Sequence, residues 1–301
     1  MTTNISLAWL RRRLTRFTPS TALWIGLGLY VLMAAAHIGL GQHNADEGWY
    51  LYAAGRVWSG ALPYRDFAFT QMPALPYLYG LPLALLGPSL YVGRLITLAL
   101  GLLQVGAAVA LARRYAGLRG AALTALLLGS FTYVIYFNTI VKTYALVSLL
   151  ITLTFLALPP TAGRPWRWGL ALACASLAAM VRLSAAAFWL PVLIYALWTV
   201  RGGWLARLAL AGWAVALWLP ALYLFTRDLD ATQWNLLGYH FGQWQGASLV
   251  RQLAEIGLYR APLILSGYAP HLALAGPLRR CTWPPTPGRA AWANWASCSS
   301  A

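Results

Sequence analysis

Residues 42–87 read QHNADEGWYLYAAGRVWSGALPYRDFAFTQMPALPYLYGLPLALLG. Three of the six acidic residues of the 301-residue chain, Asp46, Glu47 and Asp66, fall in this stretch, directly after the apolar run from Thr21 to Gly41. From Glu47 to Ala61 the apolar positions Tyr50, Leu51, Ala54, Val57, Trp58 and Ala61 recur at helical spacing, with Tyr52, Arg56 and Ser59 opposite, which predicts an amphipathic helix lying in the membrane interface. After Pro73 and Pro76 the run from Tyr77 to Leu86 is apolar, but it is about half the length needed to cross a bilayer. The stretch thus reads as a loop with two surface helices that hold an acid pair against the membrane.

Composition sets the class. The chain is 60% hydrophobic and 9% charged with 16 Trp, against roughly 25% charged residues in a soluble domain, so it reads as an integral membrane protein. A net charge of +16 in a soluble chain would point to nucleic acid. Here the 21 Arg and one Lys stand in short clusters between apolar runs, the pattern of the positive-inside rule, and nucleic acid is excluded as a partner. Cys174, Cys281 and Cys298 have neither CxxC nor metal spacing.

The chain in order gives about eight crossings. Arg11, Arg12, Arg13 and Arg16 precede the first span, so residues 1–20 form a cytoplasmic basic tail, and that span is too long for a cleaved signal segment. Further spans near 89–112, 120–138, 141–158, 168–182, 184–200, 208–226 and 256–278 put Arg113-Arg114-Arg119, Arg164-Arg167, Arg201-Arg207 and Arg279-Arg280 on the cytoplasmic side. Asp46, Glu47, Asp66, Asp228, Asp230 and Glu255 all fall on the other side, as a catalytic outer face would require. The transmembrane domain covers residues 21–280, with 42–87 as its catalytic extracytoplasmic loop. Residues 281–301, with Pro284, Pro285 and Pro287, read as a disordered or frameshifted tail.

The chemistry follows from which groups face outward. A carboxylate at Asp46, with Glu47 beside it, can take the proton of an acceptor hydroxyl. Asp46 can instead cap the helix that starts at Glu47, and the two roles are compatible. His43, Asp46 and Glu47 offer a divalent metal a third use of the same residues, and no cofactor is otherwise implied. Lys142, the one lysine, then Arg182 and Arg94, fall near outer span ends, where they can hold a lipid phosphate or snorkel to headgroups. Asp66, Trp49 and His240 are candidate substrate contacts, and Trp244 can stack on a sugar.

These residues carry a resemblance. The basic tail, single span, Asp46-Glu47 pair, amphipathic helix, Pro63-Tyr-Arg-Asp-Phe67 segment, Thr70-Gln71-Met72-Pro73, short apolar helix and Arg94-Leu95 resemble the GT-C membrane glycosyltransferases, in the branch of the bacterial protein O-mannosyltransferase-like and aminoarabinose-transferase-like enzymes. The resemblance covers roughly residues 20–200. It implies an all-α polytopic fold and transfer of a sugar from a polyprenyl-phosphate donor to an acceptor glycan, lipid or protein on the extracytoplasmic face of the cell membrane, with Asp46 as catalytic acid. Where relatives carry a second acid, at the outer start of the fourth span, this chain has Asn138-Thr-Ile-Val-Lys142-Thr-Tyr144. The family also continues through further spans, so the chain reads as carboxyl-terminally truncated. Two other classes fit parts of this pattern: a transporter or flippase for a polyprenyl-linked lipid, which would be expected to show internal repeats or broken helices, and a non-catalytic fragment or assembly subunit.

Overall fold

The computed structural model describes residues 18–159, 165–242 and 248–260. Expectations for the basic tail before residue 18, for Arg164, Trp244, Arg279 and Arg280, for the tail 281–301 and for most of the span 256–278 lie outside those residues. The chain divides into two compact units, Met1–Ala247 and Ser248–Ala301. In the second, the described residues form helical turns at Leu249–Ala254 and Glu255–Arg260.

The regular elements among the first unit's described residues are helices, joined by turns and by the loop 59–73, where Pro63 and Phe67 form an isolated bridge. Helix α1 (Pro19–Leu40) starts where the Thr18 hydroxyl accepts the Thr21 N–H and Pro19 takes the first helical position. Two short helices follow, α2 (Ala45–Trp58) and α3 (Ala74–Leu86). Helix α4 (Leu90–Ser130) is 41 residues long, about 60 Å at 1.5 Å per residue, twice the thickness of a hydrocarbon core. Gly117 divides it into 90–116 and 118–130 with a φ of 65°, a backbone state open to glycine and costly to other residues. The remaining helices are α5 (Thr132–Phe137), α6 (Tyr144–Ala157), α7 (Pro165–Val181), α8 (Ala186–Thr199) and α9 (Gly203–Arg227). They are followed by α10 (Leu229–Gln233), the π-helical turn Trp234–Gly238 and α11 (Tyr239–Gly242).

Among the described residues α1, α4 and α9 are long and apolar enough to cross a membrane, and the apolar helices α3, α6 and Leu183–Thr199 are shorter. Their outward faces carry large apolar side chains, with Trp24 69% and Trp198 83% exposed. Lipid is the environment that makes such exposure cheap.

Helix packing relies on small residues, as is usual in membranes. A Cβ on Gly26 of α1 would lie 2.4 Å from the backbone carbon of Ala125, and one on Gly129 would lie 2.3 Å from the Gly26 carbonyl oxygen. Helix α1 therefore packs backbone to backbone on the second half of α4. Gly93 of α4 makes room for side chains instead, since a Cβ there would meet the Leu51 side chain of α2 at 2.7 Å and that of Val141 at 2.8 Å. The core beneath α2 and α3 gathers Tyr50, Ala54, Phe69, Met72, Leu75 and Tyr79 against Val141, Leu146 and Val181.

The structure revises two expectations. The spans expected at 120–138 and 141–158 left only residues 139 and 140 between them, and the structure places a longer connection there. The helix breaks after Ser130, resumes as α5 and stops at Phe137, and residues 138–143 form a turn before α6. Asn138, Thr139, Ile140, Val141 and Thr143 are buried in that turn. The helix expected to begin at Glu47 begins at Ala45, because its cap is Asn44.

At the far end of α6, the Arg114 guanidinium donates to the carbonyls of Leu156 and Leu158, and Arg167 donates to those of Leu156 and Ala157. Two of the basic clusters thus meet at one helix end, where they satisfy carbonyls that the helix itself leaves unpaired. Lys142 stands at the opposite end of the same helix.

Candidate active site

The site is assembled from five segments: the end of α1, the start of α2, the start of α4, the turn 138–143 and Arg182 just after α7. At the start of α2 the Asn44 side chain accepts the Asp46 N–H at 3.1 Å, and Glu47 reaches back to accept the Asn44 N–H at 3.0 Å. This is a capping box, with two orphan donors satisfied reciprocally. A second bond from Asn44, 2.8 Å to the Tyr136 hydroxyl, ties the cap to α5. Capping therefore falls to Asn44, and Asp46 is released from it.

Asp46 and Glu47 go to different places. Successive residues on an α-helix point about 100° apart, and Glu47 shares the stripe of Tyr50, Ala54 and Val57. Glu47 is 1% exposed. Its Oε1 accepts Arg94 Nε at 2.9 Å and the Val141 N–H at 3.1 Å, and its Oε2 accepts Arg94 Nη2 at 2.8 Å. Arg94, 2% exposed, also donates to the carbonyls of Ile38 at 3.3 Å and Gln42 at 3.0 Å. Burial alone would raise the Glu47 carboxyl. The Arg94 guanidinium and the N–H groups of Asn44 and Val141 more than offset this and hold it below the ordinary carboxylate value. The Arg94 side chain, expected near a lipid phosphate, is thus spent on Glu47 and on two backbone carbonyls.

Asp46 points outward with its side chain 57% exposed, and its Oδ2 lies 2.6 Å from Lys142 Nζ. The two contacts are in step: Glu47 holds the backbone of Val141, and Asp46 meets the side chain of the next residue. Beyond Lys142, the Thr143 hydroxyl accepts Arg182 Nη1 at 3.0 Å. Arg182 also donates from Nε to the Ser184 hydroxyl at 3.1 Å and lies over the Tyr144 ring at 4.7 Å. Thr143 therefore does not cap α6, and no other side chain does. Two cations and the positive end of a 14-residue helix converge beside Asp46.

A cavity of about 380 Å³ adjoins Arg182 and is lined by Gln71, Ser184, Leu236, His240 and Phe241 among others. His240 is held there by Nε2 donating to the Thr70 carbonyl at 3.0 Å. The fold thus brings Gln71, Arg182 and His240 to one cavity from three separate parts of the sequence.

Asp66 and Trp49 are engaged elsewhere. The Asp66 carboxylate accepts both Arg65 at 2.8 Å and the Leu62 N–H at 2.7 Å. The Arg65 hydrogen bond, then the Leu62 N–H, pull it down from 3.8 to about 2. Trp49 stacks on Phe69 with ring centres 4.8 Å apart. His43 is exposed, and among the described residues no three of His, Cys, Asp and Glu gather where they would hold a metal ion.

Sequence reasoning missed Asn44, the backbone of Val141 and the cavity residues Gln71 and Ser184. The Asn44-x-x-Glu47 spacing is a capping-box signal and was available. Ser184 stands two residues from Arg182, which donates to it, while Val141 and Gln71 depend on long-range contacts that leave no local trace.

Comparison with known proteins places this site in context. A model of the dolichyl-phosphate-mannose-protein mannosyltransferase family matches residues 70–225, more than half of the chain. That match includes Arg94, Lys142 and Arg182 and begins after Asp46 and Glu47. The crystal structure of ArnT from Cupriavidus metallidurans in the apo state is similar, with a TM-score of 0.55 and 24% identity over 78% of this chain. The chain spans 45% of that structure's length. None of the curated proteins matches. The likeness to ArnT shows a shared helical fold, and the family match places the chain in the dolichyl-phosphate-mannose-protein mannosyltransferase family, a family of GT-C membrane glycosyltransferases.

Proposed function

We propose that the chain transfers a sugar from a polyprenyl-phosphate carrier to an acceptor hydroxyl on the extracytoplasmic face, with Asp46 as general base. The observation that carries this reading is the Asp46 carboxylate, open to solvent and 2.6 Å from Lys142, with the Arg182 guanidinium joined to the next residue, Thr143. Base and phosphate-binding cations then stand side by side, as the reaction needs.

In this reading Asp46 accepts the proton of the acceptor hydroxyl as its oxygen bonds to the anomeric carbon. The bond from that carbon to the phosphate oxygen breaks, and its electron pair leaves on the lipid phosphate. Lys142, Arg182 and the free N–H groups at the start of α6 stabilise that charge. Positioned general-base catalysis contributes about 10² to 10⁴ in rate. Glu47 and Arg94 take a structural part, holding the α2 cap against the turn 138–143 so that Asp46 and Lys142 face one another. His240 and Gln71 contact sugar or acceptor in the adjoining cavity.

Purified, detergent-solubilised protein should convert a polyprenyl-phosphate sugar, labelled in the sugar, to free polyprenyl phosphate and labelled acceptor when membrane extract supplies acceptors. It should leave nucleotide sugars untouched. Consumption of a nucleotide sugar in place of the lipid donor would contradict the reading.

A further inference from the structure

Helices α2 and α3 leave a groove between them that the proposed chemistry does not use. Along α2 it is lined by Gly48, Leu51, Tyr52, Gly55 and Arg56, one continuous helical face, and across from them by Gly80, Leu83 and Ala84 of α3. Its volume is about 640 Å³. The floor closes where the helices touch, since a Cβ on Gly80 would lie 2.9 Å from the Ala54 carbonyl oxygen. The walls stay open because Gly48 and Gly55 lack side chains, and a Cβ at either position would meet nothing within 4 Å.

One end of this groove is charged. Arg56 has a buried Nε with no hydrogen-bond partner, and it is absent from the three ion pairs formed among the described residues. The carboxylate whose charge reaches Arg56, Asp66, is already engaged by the Arg65 guanidinium. Ser59 lies beside Arg56 on the groove. The rim is apolar and exposed, with Tyr52 at 55% and Trp58 at 49%, side chains suited to the level of lipid headgroups. A cation with unmet hydrogen-bonding capacity at one end of an apolar trough complements an amphiphile with an anionic head and hydrocarbon tail.

We propose that this groove is a binding site for an anionic glycerophospholipid, its phosphate at the Arg56 guanidinium and an acyl chain along Gly55, Leu51 and Gly48. The site is separate from the donor phosphate site at Lys142 and Arg182, and it does not depend on that reading. A lipid seated there braces α2 against α3 and so supports the helix that carries Asp46.

The test is lipid retention by the full chain, measured by native mass spectrometry from micelles doped with phosphatidylglycerol or phosphatidylcholine. Wild type should retain phosphatidylglycerol in preference. Arg56→Gln should reduce that retention about fivefold, the effect of one basic residue near a lipid surface. Gly55→Leu, whose Cβ would meet nothing within 4 Å and whose side chain would occupy the groove, should abolish it, while Lys142→Met should leave it intact. Circular dichroism confirms that each variant is folded, and Arg56→Lys, which keeps the charge, should retain most of the preference if Arg56→Gln proves unstable. Equal phosphatidylglycerol retention by wild type, Arg56→Gln and Gly55→Leu would overturn the proposal. Displacement of the retained lipid by equimolar polyprenyl phosphate would also overturn it, making the groove part of the donor site.

Discussion

The ammonium of Lys142 and the carboxylate of Asp46 meet at 2.6 Å because their chain neighbours, Val141 and Glu47, are already joined by a hydrogen bond of 3.1 Å. The inner contact is buried and the outer one open. Stability and chemistry are therefore divided between adjacent residues, and substitutions at the two positions should have different consequences.

Lys142→Met removes the outer partner. Asp46 is more than half exposed, so losing this ion pair should cost no more than about 1 kcal/mol of stability. A charge-assisted bond to the donor phosphate contributes about 1.5–3 kcal/mol, so affinity for polyprenyl phosphate should fall about 10- to 100-fold. Isothermal titration beside thermal unfolding in detergent separates the two effects. Unchanged affinity would remove Lys142 from the phosphate site.

Glu47→Gln breaks the inner pair and leaves Arg94 buried without a counter-charge. That should cost about 3–5 kcal/mol, seen as a lower unfolding temperature, and Arg94→Gln should cost a similar amount. The double variant Glu47→Gln/Arg94→Gln should lose less than the sum, since the two sites share one interaction. A catalytic acid at Glu47 predicts the opposite: wild-type stability with turnover lost.

The same pair fixes an acid limb. The Glu47 carboxyl lies below its ordinary value of 4.5 in the folded chain, so its contribution is complete above about pH 4.5 and is lost as pH falls through the depressed value. The unfolding temperature of wild type should hold from pH 7 to about 5 and drop below 4.5. Glu47→Gln should drop less steeply, retaining the part due to Asp66, which titrates between 3.8 and about 2. Parallel acid limbs in the two proteins would show that Glu47 is not the group responsible.

The helical membrane fold was legible because lipid demands long apolar runs, and 19–40, 90–116 and 203–227 supply them. The break at 138–143 was legible in place, since the expected spans part after residue 138, but not in extent, because Thr139, Ile140 and Val141 continue an apolar pattern and only their contacts reveal the longer turn. Thr139, for instance, meets His37 Nδ1 across the fold at 2.7 Å. The acid pair marked the site, yet adjacency in sequence hid the opposite fates of Asp46 and Glu47. The helical stripe through Tyr50, Ala54 and Val57 held that information, because Glu47 continues it and Asp46 does not. Arg94, Lys142 and Arg182 looked equivalent as cations near span ends. Only the partners brought in by folding, Glu47 for one, Asp46 for the second and Thr143 with Tyr144 for the third, tell them apart.

The most direct measurement is sugar transfer from a polyprenyl-phosphate donor by Asp46→Asn. Asn44 already caps α2, so the substitution leaves the capping box and the Glu47–Arg94 pair in place, and helicity and unfolding temperature should stay near wild type. An amide cannot accept the acceptor proton, so turnover should fall by about 10² or more while polyprenyl phosphate still binds. Near-normal turnover in a folded, donor-binding Asp46→Asn protein would contradict the assignment of Asp46 as base.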